Sequence, residues 1–324
     1  MRINKKERHN KVCAVIVTYN RKEYLEKLIP SLKRQSYKLD SILIFDNFSN
    51  DGTQQMLIEL GFIDKAVQGS LCSYNSNYYF RNLENSGGSG GFHKAMELAV
   101  DLGFDYLWCM DDDVLPEYDC LDKLMSHISK EARICIPSRT DDRYKDMAIL
   151  KLDQKNPFKY TVGARKKSVY NSQFEGDVTE VDDMPFEGPL ISCSLIREIG
   201  FPKADFFIIF DDTEYAARAR KCTKILYCKD AVLHKQIVNQ SKASRYMGWK
   251  EYYGFRNQIW FDINYGENML VRVLRPRLIL LDISLRALVQ GKIPNLKVMF
   301  KAYRDGINGR LGKIVEPGTP GEDF

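Results

Sequence analysis

The sequence predicts an α/β protein in which a mostly parallel sheet is flanked by helices. Short apolar runs alternate with amphipathic stretches along the first half of the chain, and polar loops follow the runs. Residues 11–17 have the length and β-branched content of a buried strand, and residues 21–35 place leucines and an isoleucine at helical spacing. Alternating strands and helices imply right-handed crossovers between parallel strands.

The composition agrees with this class and excludes some partners. The chain has 324 residues, of which 44% are hydrophobic, so it can bury a large core. Its formal charge of +5 is too small to imply a nucleic-acid partner. The eight cysteines form no Cys-x-x-Cys pair and the first apolar run is too short for a secretory signal, so we expect a reduced, cytoplasmic protein.

The remaining elements follow from the same patterns. We expect further strands at residues 41–45, 78–81, 104–110, 133–137, 224–228 and 231–234, and helices near residues 53–60, 92–100, 120–128, 190–199 and 216–220. This gives a tail at 1–10, a main domain at 11–240 with a variable insertion at 138–185 lying over the site, a helical region at 241–316 and a second tail at 317–324.

The helical region combines arginines with apolar residues. Residues 249–261 form an aromatic helix, and residues 269–289 carry four arginines among Val, Leu and Ile. The second stretch is too charged to span a bilayer. Three roles are possible for this stretch: packing against the main domain, peripheral contact with an anionic membrane surface, and association with a second copy of the chain.

Three acids end the strand at residues 104–110. Because side chains alternate across a strand, we expect Asp111 and Asp113 on one face and Asp112 on the other. Two carboxylates at the carboxyl end of a strand favour a hard cation such as Mg²⁺ or Mn²⁺. The alternative is a solvated acidic turn.

A glycine-rich segment follows the strand at 78–81. Residues 87–91 contain four glycines, and a helix is expected to begin at Phe92. Such a loop lets the backbone approach a phosphate group, although a flexible surface loop has the same composition. Neither a dinucleotide fingerprint nor a P-loop pattern fits, because His93 stands where the last glycine of the fingerprint belongs.

A second acidic cluster, at residues 211–214, lies between an apolar run and a predicted helix. The helix dipole alone would favour acids there, but a carboxylate so placed is also suited to act as a base. His234 follows another apolar run. It is either a core imidazole or a third metal ligand.

These segments, in this order, resemble the family-two inverting glycosyltransferases with the GT-A fold. Within that family, the glycine-rich segment and the acid triplet are most similar to the galactofuranosyltransferase and rhamnosyltransferase branch. The resemblance covers residues 11–235 and continues to residues 252–257. It rests on the segments at 15–20, 46–53, 85–92, 110–114 and 210–214.

The resemblance implies a role for each matching residue. Asp212 would be the catalytic base, and the metal, Mn²⁺ or Mg²⁺, would be held by Asp111, Asp113 and His234. The acceptor would meet Asp211, Glu214 and Glu187. The nucleotide-sugar donor would be bound by Thr18, Tyr19, Asn20, Asp46, Asn47, Asn85, Gly87, Gly88, Ser89, Gly90, Gly91, Asp111 and Asp112.

The implied reaction is sugar transfer with inversion. The expected donor is UDP-galactofuranose, with dTDP-rhamnose as the alternative, and the acceptor is a cell-surface polysaccharide or a lipid-linked glycan. Two other classes remain open at this point. A nucleotidyltransferase would use a triphosphate and release pyrophosphate, and a non-catalytic scaffold would bind the nucleotide sugar without transferring it.

Overall fold

A computed structural model describes residues 10–173, 175–238 and 245–324. The expected tail at residues 1–10 lies almost entirely outside these ranges. The strands are β1 (Val12–Thr18), β2 (Ser41–Asp46), β3 (Leu71–Tyr74), β4 (Asn77–Arg81), β5 (Tyr106–Asp111), β6 (Val114–Pro116), β7 (Ala132–Ser138), β8 (Met147–Leu152), β9 (Lys166–Tyr170), β10 (Val178–Glu180), β11 (Leu190–Ser192) and β12 (Lys224–Lys235).

Helices cover both faces of the sheet and form the C-terminal region. They are α1 (Lys22–Lys33), α2 (Thr53–Glu59), α3 (Gly87–Asp101), α4 (Cys120–His127), α5 (Val162–Arg165), α6 (Cys193–Ile199), α7 (Asp211–Ala219), α8 (Trp249–Tyr265), α9 (Met269–Val289) and α10 (Pro294–Ile307). No helix in the described ranges is both long enough and apolar enough to cross a membrane.

The central sheet has ten strands in the order β10-β12-β7-β11-β5-β1-β2-β4-β3, with β6 paired to β12. The predicted parallel core is β5-β1-β2-β4, and β11 runs antiparallel between β5 and β7. In β1, Cys13, Val15 and Val17 face one hydrophobic cluster, whereas Val12, Ala14 and Ile16 face another. Both faces are therefore buried, which confirms the predicted α/β class.

Two strand predictions differ from the structure. The strand predicted at 78–81 is β4, but its pairing with β3 in a hairpin was not predicted; the turn residues Asn75 and Ser76 have φ values of 48° and 63°. Its two-residue turn without glycine lacks the usual hairpin signal. Residues 224–228 and 231–234 form one strand, β12, because its pairing with β7 continues through an irregularity between Cys228 and Val232.

The insertion packs against the C-terminal helices. The guanidinium group of Arg165 donates two hydrogen bonds to the Asp262 carboxylate in α8, at 3.1 and 3.0 Å, and Arg275 in α9 donates a third at 3.2 Å. All three side chains are buried. This charged cluster fixes residues 138–183 beside α8 and α9.

The residues expected to form a C-terminal tail are packed as well. Trp249 at the start of α8 donates its backbone N–H to the carbonyl oxygen of Thr319 at 3.1 Å. The ring of Phe324 lies 5.7 Å from that of Tyr252. Residues 317–324 therefore cover the beginning of α8.

The glycine-rich segment lies inside a helix, because α3 begins at Gly87 instead of Phe92. A Cβ atom at Gly87 would lie 2.0 Å from the carbonyl oxygen of Phe207, and one at Gly91 would lie 2.6 Å from Cγ1 of Val17. Gly87 also has φ +74°, a left-handed value. These two glycines therefore let α3 pack closely on β1 and on the loop around Phe207.

We predict that Gly91→Ala lowers the free energy of unfolding by about 1–3 kcal/mol, since the added methyl group overlaps a β-branched side chain in a packed strand. Gly88→Ala is the matched control, because no heavy atom lies within 4 Å of its Cβ position. Urea denaturation of both variants measures the difference. Equal stability of the two would contradict the packing explanation.

Candidate active site

A cleft with a volume of about 480 Å³ opens at the carboxyl edge of the parallel strands. In the sheet, Thr18 at the end of β1 pairs with Asp46 of β2, and Val17 pairs with Asp111 of β5. The ends of these strands meet at one edge because the strands are parallel. The predicted site residues that line the cleft are Thr18, Tyr19, Asn47, Asn85, Gly87, Gly88, Asp111, Asp112, Glu187, Asp211 and Asp212.

The acid triplet does not continue the strand alternation. β5 ends at Asp111, and Asp112 and Asp113 form a turn before β6. Arg21 donates hydrogen bonds to both turn carboxylates, at 3.2 Å to Asp112 and 2.8 Å to Asp113. The predicted pairing of Asp111 with Asp113 on one face is therefore wrong: Asp111 and Asp112 line the cleft, and Asp113 does not.

The two cleft carboxylates of the triplet have different environments. Burial, Glu187 and Asp113 raise the pKa of Asp111 well above its usual value, and Arg21 opposes this only weakly. Burial also raises the pKa of Asp112, to about 6, against the stabilising charge of Arg21 and a 2.7 Å hydrogen bond from the Thr18 hydroxyl. Of these two carboxylates, Asp111 is the one to which no Lys or Arg among the described residues donates a hydrogen bond.

His234 does not join the triplet. Its Nε2 lies 3.1 Å from a carboxylate oxygen of Glu117 and its Nδ1 lies 3.1 Å from one of Asp141. Two acids therefore already engage the ring, which does not line the cleft. Within the described residues, no group of three His, Cys, Asp or Glu side chains is arranged to hold a metal ion. The predicted ligand set of Asp111, Asp113 and His234 is not assembled.

Asp46 is likewise turned away from the cleft. It is fully buried and accepts hydrogen bonds from the Tyr79 hydroxyl at 2.8 Å and from the backbone N–H of Ser49 at 2.7 Å. Asp46 therefore has a structural role in place of the predicted contact with the donor. Asn20 is also outside the cleft lining, and its amide oxygen accepts from the backbone N–H of Asn50 at 2.7 Å.

Asn47 joins the end of β2 to the first turn of α3. Its amide donates to the carbonyl oxygen of Gly87 at 2.9 Å, and its amide oxygen accepts from the backbone N–H of Ser86 at 3.0 Å. Gly87 and Gly88 consequently line the cleft at the amino end of a helix, where the helix dipole favours an anion, although the N–H group of Gly87 already donates to the Asn85 side chain at 2.8 Å. Ser89, Gly90 and Gly91 do not line the cleft, and the two glycines allow close packing against Ser86 and Val17.

The opposite wall is a strained loop followed by the second acidic cluster. Phe207, Ile209 and Phe210 all have left-handed backbone conformations, with φ between 65° and 74°. Asn257 in α8 donates to the carbonyl oxygens of Phe206, Ile208 and Ile209 at 2.8–3.1 Å. Non-glycine residues in this region cost about 1–3 kcal/mol each, so the loop requires such support.

Asp211 and Asp212 form the first turn of α7 and line the cleft. Burial and the neighbouring charges of Asp211 and Asp183 raise the pKa of Asp212 above the usual range for aspartate. The backbone N–H of Thr213 donates to the Asp212 carboxylate at 2.6 Å and opposes this shift. A raised pKa brings an aspartate closer to the value that suits a general base.

The other two predicted acceptor residues differ in position. Glu187 lines the cleft, where Arg139 at 2.7 Å and Lys235 at 2.7 Å lower its pKa although burial alone would raise it. Glu214 is buried outside the cleft. It accepts hydrogen bonds from Arg218 and from the Tyr265 hydroxyl, which give its carboxylate a structural role.

The structure adds cleft residues that the sequence did not indicate. Arg21 follows the β1 turn, Trp249 and Lys250 begin α8, and Pro317 comes from the C-terminal segment. Only Arg21 had a detectable signal, since it stands next to the polar turn after β1. Of the described residues in the predicted insertion at 138–185, only Pro185 at its end lines the cleft.

The donor set of the cleft fits a hard divalent cation only in part. Asp111 offers carboxylate oxygens, the ligand type that Mg²⁺ and Mn²⁺ prefer, whereas Arg21 already engages Asp112 and Asp113, and Arg139 and Lys235 engage Glu187. Mg²⁺ is commonly held by one or two carboxylates together with substrate phosphates and water. A cation at Asp111 would therefore depend on ligands supplied by the substrate.

The model of the family described as "Glycosyl transferase family 2" matches residues 13–177, just over half of the chain. The chain belongs to glycosyl transferase family 2. The matched region contains β1, β2, α3 and the acid triplet, and thus one wall of the cleft. Membership in this family confirms the coarser part of the resemblance seen in the sequence.

Two curated relatives share part of the sequence of this glycosyltransferase. The galactofuranosyltransferase GlfT1 of Mycolicibacterium smegmatis is 27% identical over 218 residues, which cover 64% of each chain. The abequosyltransferase RfbV of Salmonella typhimurium is 34% identical over 131 residues, 39% of this chain and 35% of the relative. The chain thus spans less than two thirds of the length of either relative.

Solved structures show the same fold at low identity. A crystal structure of GalNAc-T7 with UDP, GalNAc and Mn²⁺ aligns with a TM-score of 0.56 at 14% identity, covering 79% of this chain and 48% of that one. A crystal structure of S. aureus TarS aligns with a TM-score of 0.52 at 12% identity, covering 93% of this chain and 82% of that one. The GT-A fold is thereby confirmed.

We predict that Asn257→Ala lowers the free energy of unfolding by about 1–3 kcal/mol, because it leaves the carbonyl groups of Ile208 and Ile209 without their side-chain donor. Glycosyl transfer should fall as well, since Asp211 and Asp212 directly follow this loop.

Asn264→Ala is the matched control for this variant. Asn264 is exposed on the same helix, and its amide donates to the carbonyl oxygen of Trp260. Urea denaturation and turnover should change little in this variant. Wild-type stability and turnover in Asn257→Ala would contradict the proposed support of the loop.

Proposed function

We propose that this glycosyltransferase moves galactofuranose from UDP-galactofuranose to a hydroxyl group of a cell-surface polysaccharide or lipid-linked glycan, with inversion at the anomeric carbon. The observation that carries the proposal is the presence of Asp111 and Asp112 on one wall of a cleft and Asp212 on the other. The name of the M. smegmatis relative supports the choice of sugar.

The donor would lie along the wall formed by β1, β2 and α3. Thr18, Tyr19 and Asn47 belong to the loops after β1 and β2, and Gly87 and Gly88 present the amino end of α3. Backbone N–H groups at a helix start favour a phosphate, and Arg21 adds a positive charge at the same wall. This arrangement supports binding of a nucleoside diphosphate sugar.

Asp212 is the base in the proposed mechanism. Its carboxylate takes the proton of the acceptor hydroxyl while that oxygen forms a bond to the anomeric carbon, and the bond from this carbon to the diphosphate breaks. The oxygen attacks opposite the leaving diphosphate, so the configuration inverts. Burial of Asp212 beside Asp211 keeps its pKa raised and makes it a stronger base than an exposed aspartate.

A divalent cation, Mn²⁺ or Mg²⁺, would neutralise the charge of the departing diphosphate. We propose that Asp111 is the protein ligand of this cation. Glu187 also lines the cleft, and its negative charge raises the pKa of Asp111. Arg21 would remain paired with Asp112 and Asp113 while the cation is bound. This replaces the ligand set of Asp111, Asp113 and His234 that the sequence suggested.

The acceptor would enter from the side of α7 and α8. Asp211 and Glu187 line the cleft there, and Trp249 and Lys250 add an aromatic ring and a positive charge. Aromatic side chains offer a flat apolar surface for a sugar ring, with polar groups at its edge to fix orientation. These four residues support a glycan as the acceptor.

The similarity to an abequosyltransferase over 131 residues favours a second candidate donor, a nucleotide-linked abequose. Incubating the purified protein with separate nucleotide sugars, including UDP-galactofuranose and dTDP-rhamnose, and measuring released nucleoside diphosphate tests the donor. We expect release from UDP-galactofuranose in Mn²⁺ or Mg²⁺, none in excess chelator, and recovery when the metal is returned.

Other results of this assay would change the assignment. Release from dTDP-rhamnose or nucleotide-linked abequose alone would replace the donor, and full activity in chelator would remove the metal from the mechanism. Release of pyrophosphate from a triphosphate would indicate a nucleotidyltransferase. Donor binding without turnover of any nucleotide sugar would indicate a scaffold.

We predict that Asp212→Asn lowers the transfer rate by about 10²–10⁴-fold while nucleotide binding is retained, because only proton removal is lost. Asp205→Asn is the control, since Asp205 is an exposed acid outside the cleft. Steady-state kinetics and titration calorimetry with the nucleotide separate the two effects. Wild-type turnover in Asp212→Asn would refute the base assignment.

The pH profile of the wild type gives the same assignment a second readout. A base must be unprotonated, so the rate should fall as the pH drops through the raised pKa of Asp212. Asp211→Asn removes a neighbouring negative charge that raises this pKa, and it should move the acidic limb of the profile to lower pH. A limb that does not move would show that another group titrates.

A further inference from the structure

Exposed apolar side chains lie along the outer face of α9, on either side of the exposed Arg277. Leu270, Leu281, Leu285 and Leu288 are each more than half exposed, and Val273 is exposed as well. The five positions follow helical spacing and therefore lie on one face. Single exposed leucines are ordinary, but an exposed stripe along a helix of 21 residues requires a partner.

The opposite side of α9 is fixed to the protein. Val271, Arg275, Ile279 and Ala287 are buried, and Arg275 donates hydrogen bonds to Asp262 and to backbone carbonyl oxygens of the insertion. Because this buried ion pair would be broken by rotation of the helix, α9 cannot turn its leucines inward. The orientation of the stripe is thus set by the fold.

The region around the stripe is strongly basic. Residues 269–313 contain ten Lys and Arg against two Asp, a formal charge of +8, whereas the whole chain carries only +5. Arg272 and Arg277 are exposed on α9. On α10, exposed Lys297 and Arg304 alternate with exposed Phe300 and Ile307, so the second helix repeats the combination.

We propose that the outer faces of α9 and α10 bind the surface of an anionic lipid bilayer. Leucine side chains would enter the boundary between head groups and acyl chains, while lysines and arginines would contact the lipid phosphates. A second copy of the chain is a poorer partner, since two faces of this positive charge would repel each other. The inference is independent of the sugar donor proposed above.

Cosedimentation of the full chain with vesicles tests this proposal. We expect binding to vesicles of phosphatidylcholine and phosphatidylglycerol in equal amounts, weak binding to phosphatidylcholine alone, and loss of binding as salt is raised. The variant with Leu281→Ser, Leu285→Ser and Leu288→Ser should bind at least about tenfold more weakly. So should the variant with Arg277→Glu and Lys297→Glu.

Matched controls carry the same changes elsewhere on the surface. Leu83→Ser with Phe158→Ser removes two comparably exposed apolar residues, and Lys38→Glu with Lys130→Glu changes two exposed lysines. Both controls should bind vesicles like the wild type. All variants should keep wild-type thermal stability and wild-type turnover of a water-soluble acceptor, because none of these residues lines the cleft.

Three results would overturn the proposal. The first is vesicle binding that does not depend on phosphatidylglycerol, and the second is binding that the α9 variants leave unchanged. The third comes from sedimentation equilibrium without lipid: a dimer that the leucine variant dissociates would show that a second copy covers the stripe.

Discussion

The contact of Asn257 with the loop at residues 206–209 is the interaction on which the cleft depends. One side-chain amide holds three carbonyl groups of a loop in which three non-glycine residues are left-handed. From the other side, the backbone N–H of Ser89 donates to the carbonyl oxygen of Phe207 at 3.1 Å, which requires the close approach that Gly87 permits. The C-terminal helices thus help to position the wall of the cleft that carries Asp211 and Asp212.

Much of the fold was predictable because its central strands are buried on both faces. β1, β2 and β5 are short continuous apolar runs, and such runs are readable without knowledge of their partners. The β3–β4 hairpin escaped prediction because Asn75 and Ser76 adopt left-handed conformations without glycine. The start of α3 was misplaced because its glycines serve close packing, which is decided by residues far along the chain.

The same distinction separates the predicted site residues that line the cleft from those that do not. The end of a strand can be predicted from local sequence, and Asp111, Asp112 and the pair at 211–212, which follow predicted strands, all line the cleft. The hydrogen-bond partner of a buried acid cannot be read locally. Tyr79 donates to Asp46, and Tyr265 donates to Glu214 from 51 residues further along the chain. Pattern analysis identified the charged groups but not which of them the fold itself neutralises.

The unpaired state of Asp111 links ligand binding to the release of a proton. An acid whose pKa is raised by burial and by neighbouring negative charges holds its proton more readily than an exposed aspartate. A cation bound to this carboxylate, as proposed above, would have to displace that proton, so its apparent affinity would rise with pH and its binding would acidify the solution. In that mechanism, protonation of Asp111 would compete with binding of the cation.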